Sequence, residues 1–504
     1  MKFTNLLWSL LLISFIGCSN SIIPDDTDGV ITDEPDSTIL DNSDNDMSDD
    51  SNNDSNDEST TEQNNWTPVK FAVISDIHFG NDVAEGPMVK VPQALKNITS
   101  HGELDALIVV GDLTDHGNED EYQLLVQTFK DSTMFTNPVG NFFFMMGNHD
   151  NYNSNGIANY QEGLKEFNNG EPYPLFNYQV VNGYPFITVS MQNGHNNDLD
   201  NLKIGSMAYP AETLKWLEQS LEKASVECPE RPIFVFTHVP PRWTCYSTWP
   251  EYENGVAWCM QVLNPVLNKY PQAVVFSGHS HYPLKDPRSI HQGAHPYSTR
   301  QNYFTVINTS STTYAEIHPD AVDEGIHPTQ FGYVTEGLIV NALSNGNVEI
   351  RRYDTYRNEE IAADKPWVLK APHDGSQFTY ADIRDANDNP LNKVLYSGGA
   401  SPVFDDNAEL TLGIAATSVK VTFPQASDDD CVFRYIVNVY DTESGVSVSK
   451  ASIFSRFYLN SEMPDKFTQI MDGLQSGKDY RVEVVAYDSY DNESTPLAKS
   501  FTTR

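Results

Sequence analysis

Five short stretches of this sequence carry residues of the kinds that bind cations. They are Asp76-Ile77-His78, Gly111-Asp112, Gly147-Asn148-His149-Asp150, Thr237-His238 and Gly278-His279-Ser280-His281. Carboxylate, carboxamide and imidazole groups suit Zn, Fe and Mn alike, and no thiolate stands among them to draw a softer ion. Two divalent cations about 3.5–4 Å apart need an anionic group between them, and a carboxylate has two oxygens to share. The Asp-x-His and His-x-His spacings fit an extended segment, in which residues i and i+2 project to one side. Glycine before Asp112, Asn148 and His279 lets the backbone turn sharply and approach an anion. Each piece alone is common. Together and in order, they describe one centre that could do phosphoryl chemistry.

Each piece follows a short apolar run that reads as a buried strand: Lys70–Ser75, Leu104–Val110, Asn141–Met146, Pro232–Phe236 and Ala273–Phe276. A further strand is expected at Phe186–Val189. Helical patterns fall between them at Val91–Thr99, Glu119–Phe129, Ala211–Leu221 and near Val256–Leu267. Strands alternating with helices argue an α/β fold with buried sheets. Loops at the carboxyl ends of such strands are where rigid elements aim side chains into one crevice. Alternating segments at Tyr303–Ile307, Gly337–Ala342 and Val348–Tyr353 are expected to close the sheets.

The ordered set of motifs resembles the calcineurin-like metallophosphoesterase superfamily over roughly residues 66–355. The resemblance implies a four-layer αββα sandwich and two divalent or trivalent metal ions, Fe, Mn or Zn. It implies that Asp76, His78 and His281 bind one metal, Asn148, His238 and His279 the other, with Asp112 bridging. It places His149 against the leaving-group oxygen and Asp150 as the group that orients its ring. The reaction so implied is hydrolysis of a phosphate ester, a diester ahead of a monoester, by hydroxide held between the metals. The tyrosine that purple acid phosphatases place just after Gly-Asp is missing, and Asp115 stands there. Gly111-Asp112-Leu113-Thr114-Asp115-His116-Gly117 with Glu121-Tyr122 is instead similar to the branch that contains bacterial cyclic-nucleotide phosphodiesterases.

Two loops could shape the substrate pocket. Arg242, Trp243, Tyr246 and Trp249 follow His238 closely, and could meet a phosphate oxygen and line a leaving-group pocket, or only pack the loop. His195 could also reach the crevice. A Cys245–Cys259 disulfide would pin the loop, the alternative being two buried free thiols.

Before and after this domain the chain changes character. Residues 1–18 read as an export signal, with Lys2 ahead of an apolar stretch ending in Phe15-Ile16-Gly17-Cys18, which resembles a bacterial lipoprotein box. Lipidation at Cys18 would hold the protein at the cell envelope; ordinary signal cleavage would release it. Residues 19–65 carry 15 Asp+Glu and no Lys or Arg, a composition expected to remain a disordered tether. Residues 356–401 are a connecting region. Residues 402–504 show regular alternation at Val419–Phe423, Phe433–Tyr440, Val446–Ile453, Tyr480–Tyr487 and Lys499–Thr502, and are expected to form a β-sandwich. Leu474-x-x-Gly477-x-x-Tyr480 resembles the end of a fibronectin type III domain. A rival function is therefore a surface glycan-binding lipoprotein in which this module does the work.

Charge narrows the partners. The chain has 70 Asp+Glu against 31 Lys+Arg, a net −39; setting aside Lys2 and the fifteen tail acids leaves −25 for residues 66–504. Nucleic-acid polymers, which are gripped by basic stripes, are not expected partners. A small phosphate ester remains compatible, because bound cations would supply the positive charge locally.

Overall fold

The computed structural model describes residues 66–81, 86–192, 208–246, 248, 261–293, 303–316, 335–380 and 400–504. The expected signal segment with Cys18, the tether, His195, Trp249 and Cys259 lie outside the described residues.

Two mixed sheets face each other. In the first, β1 (Val69–Ile74), β2 (Leu104–Val110) and β3 (Val139–Met145) run parallel, and β10 (Glu336–Ala342) and β11 (Val348–Asp354) continue it antiparallel beyond β1. In the second, β5 (Tyr184–Val189), β6 (Ile233–Thr237), β7 (Ala273–Ser277) and β9 (Thr305–Asn308) run parallel. β4 (Phe176–Val181) and β8 (Ile290–Gln292) are antiparallel at its two edges. The central strands are buried on both faces, which is why they read as unbroken apolar runs rather than alternating ones. Phe71 of β1 sits between the sheets, its ring 5.0 Å from Phe186 and 4.8 Å from Phe234. Burying each such side chain contributes roughly 1.5–3 kcal/mol.

Helices cover both outer faces. Gly86–Ser100, Glu119–Lys130 and Gly156–Gly163 pack Val91, Leu95, Tyr122, Leu125 and Tyr160 on the first sheet. Ala211–Glu227 and Asn264–Leu267 pack Leu217, Leu221 and Leu267 on the second. The result is the αββα layering that the resemblance implied.

The expected boundary at 355 falls too early. The strands β12 (Glu359–Ile361) and β13 (Trp367–Leu369) both pair with β11, so the first sheet extends through residue 369. Three-residue strands are too short to show a period, and their only signal is the pairing itself.

The C-terminal region is a β-sandwich. A three-stranded sheet orders β14 (Thr411–Ile414), β15 (Ser418–Pro424) and β18 (Lys466–Asp472). A four-stranded sheet orders β17 (Ser447–Phe454), β16 (Val432–Asp441), β19 (Asp479–Asp488) and β20 (Leu497–Thr502). Val419, Val421, Phe423, Tyr435, Val437, Val482 and Val484 point inward at every second position, as a half-buried strand requires. The Tyr480 hydroxyl accepts the Gln475 N–H at 2.9 Å, the bond of a tyrosine corner. The sandwich abuts the α/β domain through an aromatic cluster that includes Tyr246, Tyr282, Phe433, Phe454 and Phe457.

Candidate metal centre

The five motif loops meet where the parallel strands of both sheets end. Asp76 and His78 follow β1, Asp112 follows β2, Asn148 follows β3, His238 follows β6, and His279 and His281 follow β7. The loops after β1 and β2 are laced together: Asp76 N–H donates to Gly111 O at 3.1 Å and His78 N–H to Asp112 O at 3.0 Å. The segments are not extended. Asp76, His78, Asp112, His279 and His281 all have φ between 43° and 68°, a left-handed conformation unusual for side-chain-bearing residues. Such strain persists where the surroundings over-determine it, and it clusters at functional sites.

Two of the three glycines act by being small rather than by turning. A Cβ on Gly147 would sit 2.1 Å from Asp112 Oδ1, and one on Gly278 would sit 2.4 Å from Asp76 Oδ2. Gly111 does both, with φ of 78° and the His238 ring 2.3 Å from where its Cβ would be.

Among the described residues, three groups of side chains converge closely enough to hold a cation; Asp112 belongs to two of them, and the third is His78, Asp115 and His149 at the rim. In the first, His281 Nε2 lies 3.0 Å from Asp76 Oδ1 and 3.3 Å from His78 Nε2, which is 3.8 Å from Asp112 Oδ2. In the second, with His279, His238 Nε2 lies 3.3 Å from Asp112 Oδ1 and 3.1 Å from Asn148 Oδ1. His238 Nδ1 donates to Val110 O at 2.9 Å, which turns the Nε2 lone pair toward the cluster. The donor set fits metal ions: imidazoles, carboxylates and one carboxamide, all buried and all with ligand atoms aimed inward.

The charges are arranged to match. Burial would raise Asp112 and Asp76, but the imidazoles around them outweigh it and hold both carboxyls below the ordinary range. Burial would lower His238, yet Asp112 and Asp76 push it up to about 9. His279 is pushed down to about 3 by burial, with the neighbouring His238 adding to it. A cluster whose carboxylates stay ionised in a dry interior calls for cations beside them.

His149 lies at the rim, its side chain a quarter exposed. Its partner differs from the expected one. His149 Nδ1 donates to the backbone carbonyl of Asp115 at 2.9 Å and lies 3.6 Å from the Asp115 carboxylate. Asp150 instead turns into the protein, where it accepts the N–H groups of Gly147, Leu113 and Thr114 and the hydroxyls of Thr114 and Tyr122. Those donors satisfy it completely, so Asp150 ties two motif loops together and does not orient the His149 ring. Asp115 also holds His78, with Oδ1 3.2 Å from Nδ1. Burial would raise its carboxyl, but the His78 bond brings it down to about 2.

Three ring contacts complete the wall. Tyr152 packs on His149 at 4.4 Å and accepts from Asn148 Nδ2 at 3.2 Å. Tyr314 lies against both His78 and His281, with centroids 5.5 and 4.4 Å away. Tyr314 ends a run of hydroxyl residues after β9, and that run was its only sequence signal. Ser311 and Thr313 there donate to the Asp76 carbonyl at 3.2 and 2.7 Å.

In the loop after β6 the described side chains follow the packing alternative. Tyr246 is buried against Tyr282 at 4.2 Å, under the Arg288 guanidinium, so it packs the loop. Arg242 donates to Gln261 at 3.3 Å and rests over the Trp243 ring, both contacts within the loop. Cys245 is a buried free thiol, its Sγ donating toward Ser289 O at 3.3 Å; Cys259, the partner expected for it, lies outside the described residues. The side chain points into the apolar layer under the second sheet, and burial pushes the thiol well up.

The sequence is similar to those of known phosphoesterases. The probable glycerophosphodiester phosphodiesterase GpdQ of Arcobacter nitrofigilis is 29% identical over 161 residues, covering 30% of this chain and 50% of the relative. The chain thus spans half the length of that relative. A 3',5'-cyclic-nucleotide phosphodiesterase of Nostoc sp. is 26% identical over 263 residues, 50% of this chain and 85% of the relative. The solved structure of PhoD overlaps 62% of this chain and 71% of its own at 10% identity, with a TM-score of 0.38. Residues 69–283 match the family model for calcineurin-like phosphoesterases, and all five motif loops fall inside that span. Over those residues the chain is a calcineurin-like phosphoesterase domain.

Proposed function

We propose that this chain hydrolyses small phosphodiesters at a centre that holds two metal ions, Fe, Mn or Zn. The observation that carries the proposal is the position of Asp112, whose two oxygens face the two ligand groups, Oδ1 toward His238 and Oδ2 toward His78. Asp76, His78 and His281 would hold one ion, and Asn148, His238 and His279 the other, with Asp112 shared. Ions bound there would polarise the phosphoryl oxygens and acidify water.

The chain's own groups do the rest. As the oxygen of water bonds to phosphorus, the ester bond to the leaving group breaks and the proton of that water passes to solvent. Asp115 O holds the Nδ1 proton of His149, which leaves Nε2 to carry a second proton and give it to the departing oxygen. The Asp115 carboxylate lies 3.6 Å from His149 Nδ1 and 3.2 Å from His78 Nδ1, beside both rings. Tyr152 and Tyr314 would limit the leaving group's approach. A diester is favoured over a monoester because both sequence relatives are named as phosphodiesterases. The test is a pair of assays on bis-p-nitrophenyl phosphate and p-nitrophenyl phosphate with Mn, Zn or Fe supplied. Faster turnover of the diester supports the proposal, and turnover of the monoester alone refutes it.

The N-terminal sequence supports an envelope site for this reaction, through a lipid on Cys18. The Cys18→Ala chain should then leave the membrane fraction; equal partitioning of the two chains would refute the anchor.

A further inference from the structure

The loop that carries His279 and His281 continues into the interface with the β-sandwich. Tyr282, the next residue, is fully buried, and its hydroxyl donates to Asp286 Oδ2 at 2.7 Å. Arg288 makes a two-pronged pair with the same carboxylate, Nε to Oδ1 at 2.9 Å and Nη2 to Oδ2 at 2.6 Å. The fourth member comes from the sandwich: Ser489 Oγ donates to Asp286 Oδ2 at 2.8 Å. All four side chains are at most 5% exposed, so every bond forms in a dry environment where a missing partner is costly.

Aromatic packing repeats the arrangement. The Arg288 guanidinium lies 4.1 Å from the Tyr246 ring of the α/β domain and 4.9 Å from the Phe433 ring of the sandwich. Tyr246 stacks on Tyr282, and its N–H donates to Arg288 O at 3.1 Å, which joins the loop after β6 to the loop after β7. Ala315, beside the Tyr314 that covers His78 and His281, belongs to the same apolar cluster as Phe433, Phe454 and Phe457. Three loops around the metal centre therefore rest on the sandwich.

We infer that the β-sandwich is a positioning element of the metal centre, acting through Ser489 and Phe433 on the Tyr282–Asp286–Arg288 network that aims His281. It is neither a spacer nor an independent binding module. The inference rests on the metal-centre reading above. The network meets His281 through the backbone of the adjoining Tyr282, and groups that fix the orientation of a metal ligand typically change affinity about tenfold or more when removed.

The test uses the full chain and measures the Mn²⁺ dissociation constant by titration calorimetry, with kcat on bis-p-nitrophenyl phosphate and the melting temperature alongside. Ser489→Ala and Phe433→Ala should each weaken Mn²⁺ binding about tenfold, and Ser489→Thr, which keeps the hydroxyl, should restore it. Val421→Ala, in the sandwich core and away from the interface, should lower the melting temperature and leave Mn²⁺ affinity unchanged. Interface variants that fold and bind Mn²⁺ like the wild type would overturn the inference. So would a weakening by Val421→Ala equal to theirs. A wild-type chain that takes up no Mn²⁺ would overturn the metal-centre reading, and this inference with it.

Discussion

A methyl group at position 147 would come within 2.1 Å of Asp112 Oδ1, and Asp112 cannot retreat because the same oxygen accepts the His149 N–H at 2.9 Å. Gly147→Ala should therefore lower Mn²⁺ affinity by at least about tenfold, a loss read by titration in the intact chain; unchanged affinity would show the cluster to be more plastic than its packing indicates. His149→Ala should lower kcat by about 10²–10⁴ while Mn²⁺ content stays at the wild-type value. Full activity in that variant would remove the proton-donor role. The buried Asp and His cluster was legible in the sequence because the types and order of its residues carry the chemistry. Their supports were not. Asp150 adjoins His149 in the chain and invited pairing with it, whereas the fold turns Asp150 inward and brings Asp115 across from another loop. Only the packing of β2 against β3 decides which carboxylate a ring meets.

At the scale of strands and helices, the long buried elements were visible as apolar runs, and β2 falls at its expected Leu104–Val110. β4 was not visible: its Asn177 and Gln179 alternate with an exposed Val180 at a sheet edge, so neither face reads as core. The helix Gly156–Gly163 was also missed, since glycine bounds it and Tyr160 is its one large fully buried side chain. Glu336, the first residue of β10, offers a further test. Its Oε2 accepts the Leu284 N–H at 2.7 Å, and burial raises its carboxyl from 4.5 to about 8. A carboxyl raised on folding stabilises the protein fully below pH 4.5, and that contribution disappears as the pH climbs through about 8. Glu336→Gln should thus melt at the wild-type temperature near pH 4 and above it at pH 9, where its stability gain is on the order of a few kcal/mol. Equal melting temperatures at pH 9 would mean that the carboxylate is solvated after all.

The whole molecule couples a hydrolase domain to a sandwich through buried polar and aromatic contacts. The described residues from Trp66 to Arg504 belong to one compact unit, and its thermal unfolding should give one calorimetric transition. Two well-separated transitions would contradict the coupling. The net −39 of the chain also takes on meaning at this scale. An acidic surface discourages long polyanions, and a centre of ionised, buried carboxylates asks for cations that the amino-acid composition does not count. Chelation tests that demand for cations. Turnover of bis-p-nitrophenyl phosphate should vanish when the purified protein is stripped with EDTA, and should return when Mn²⁺ is added at two equivalents per chain. Undiminished turnover by the stripped protein, with metal analysis confirming that it is empty, would contradict the account.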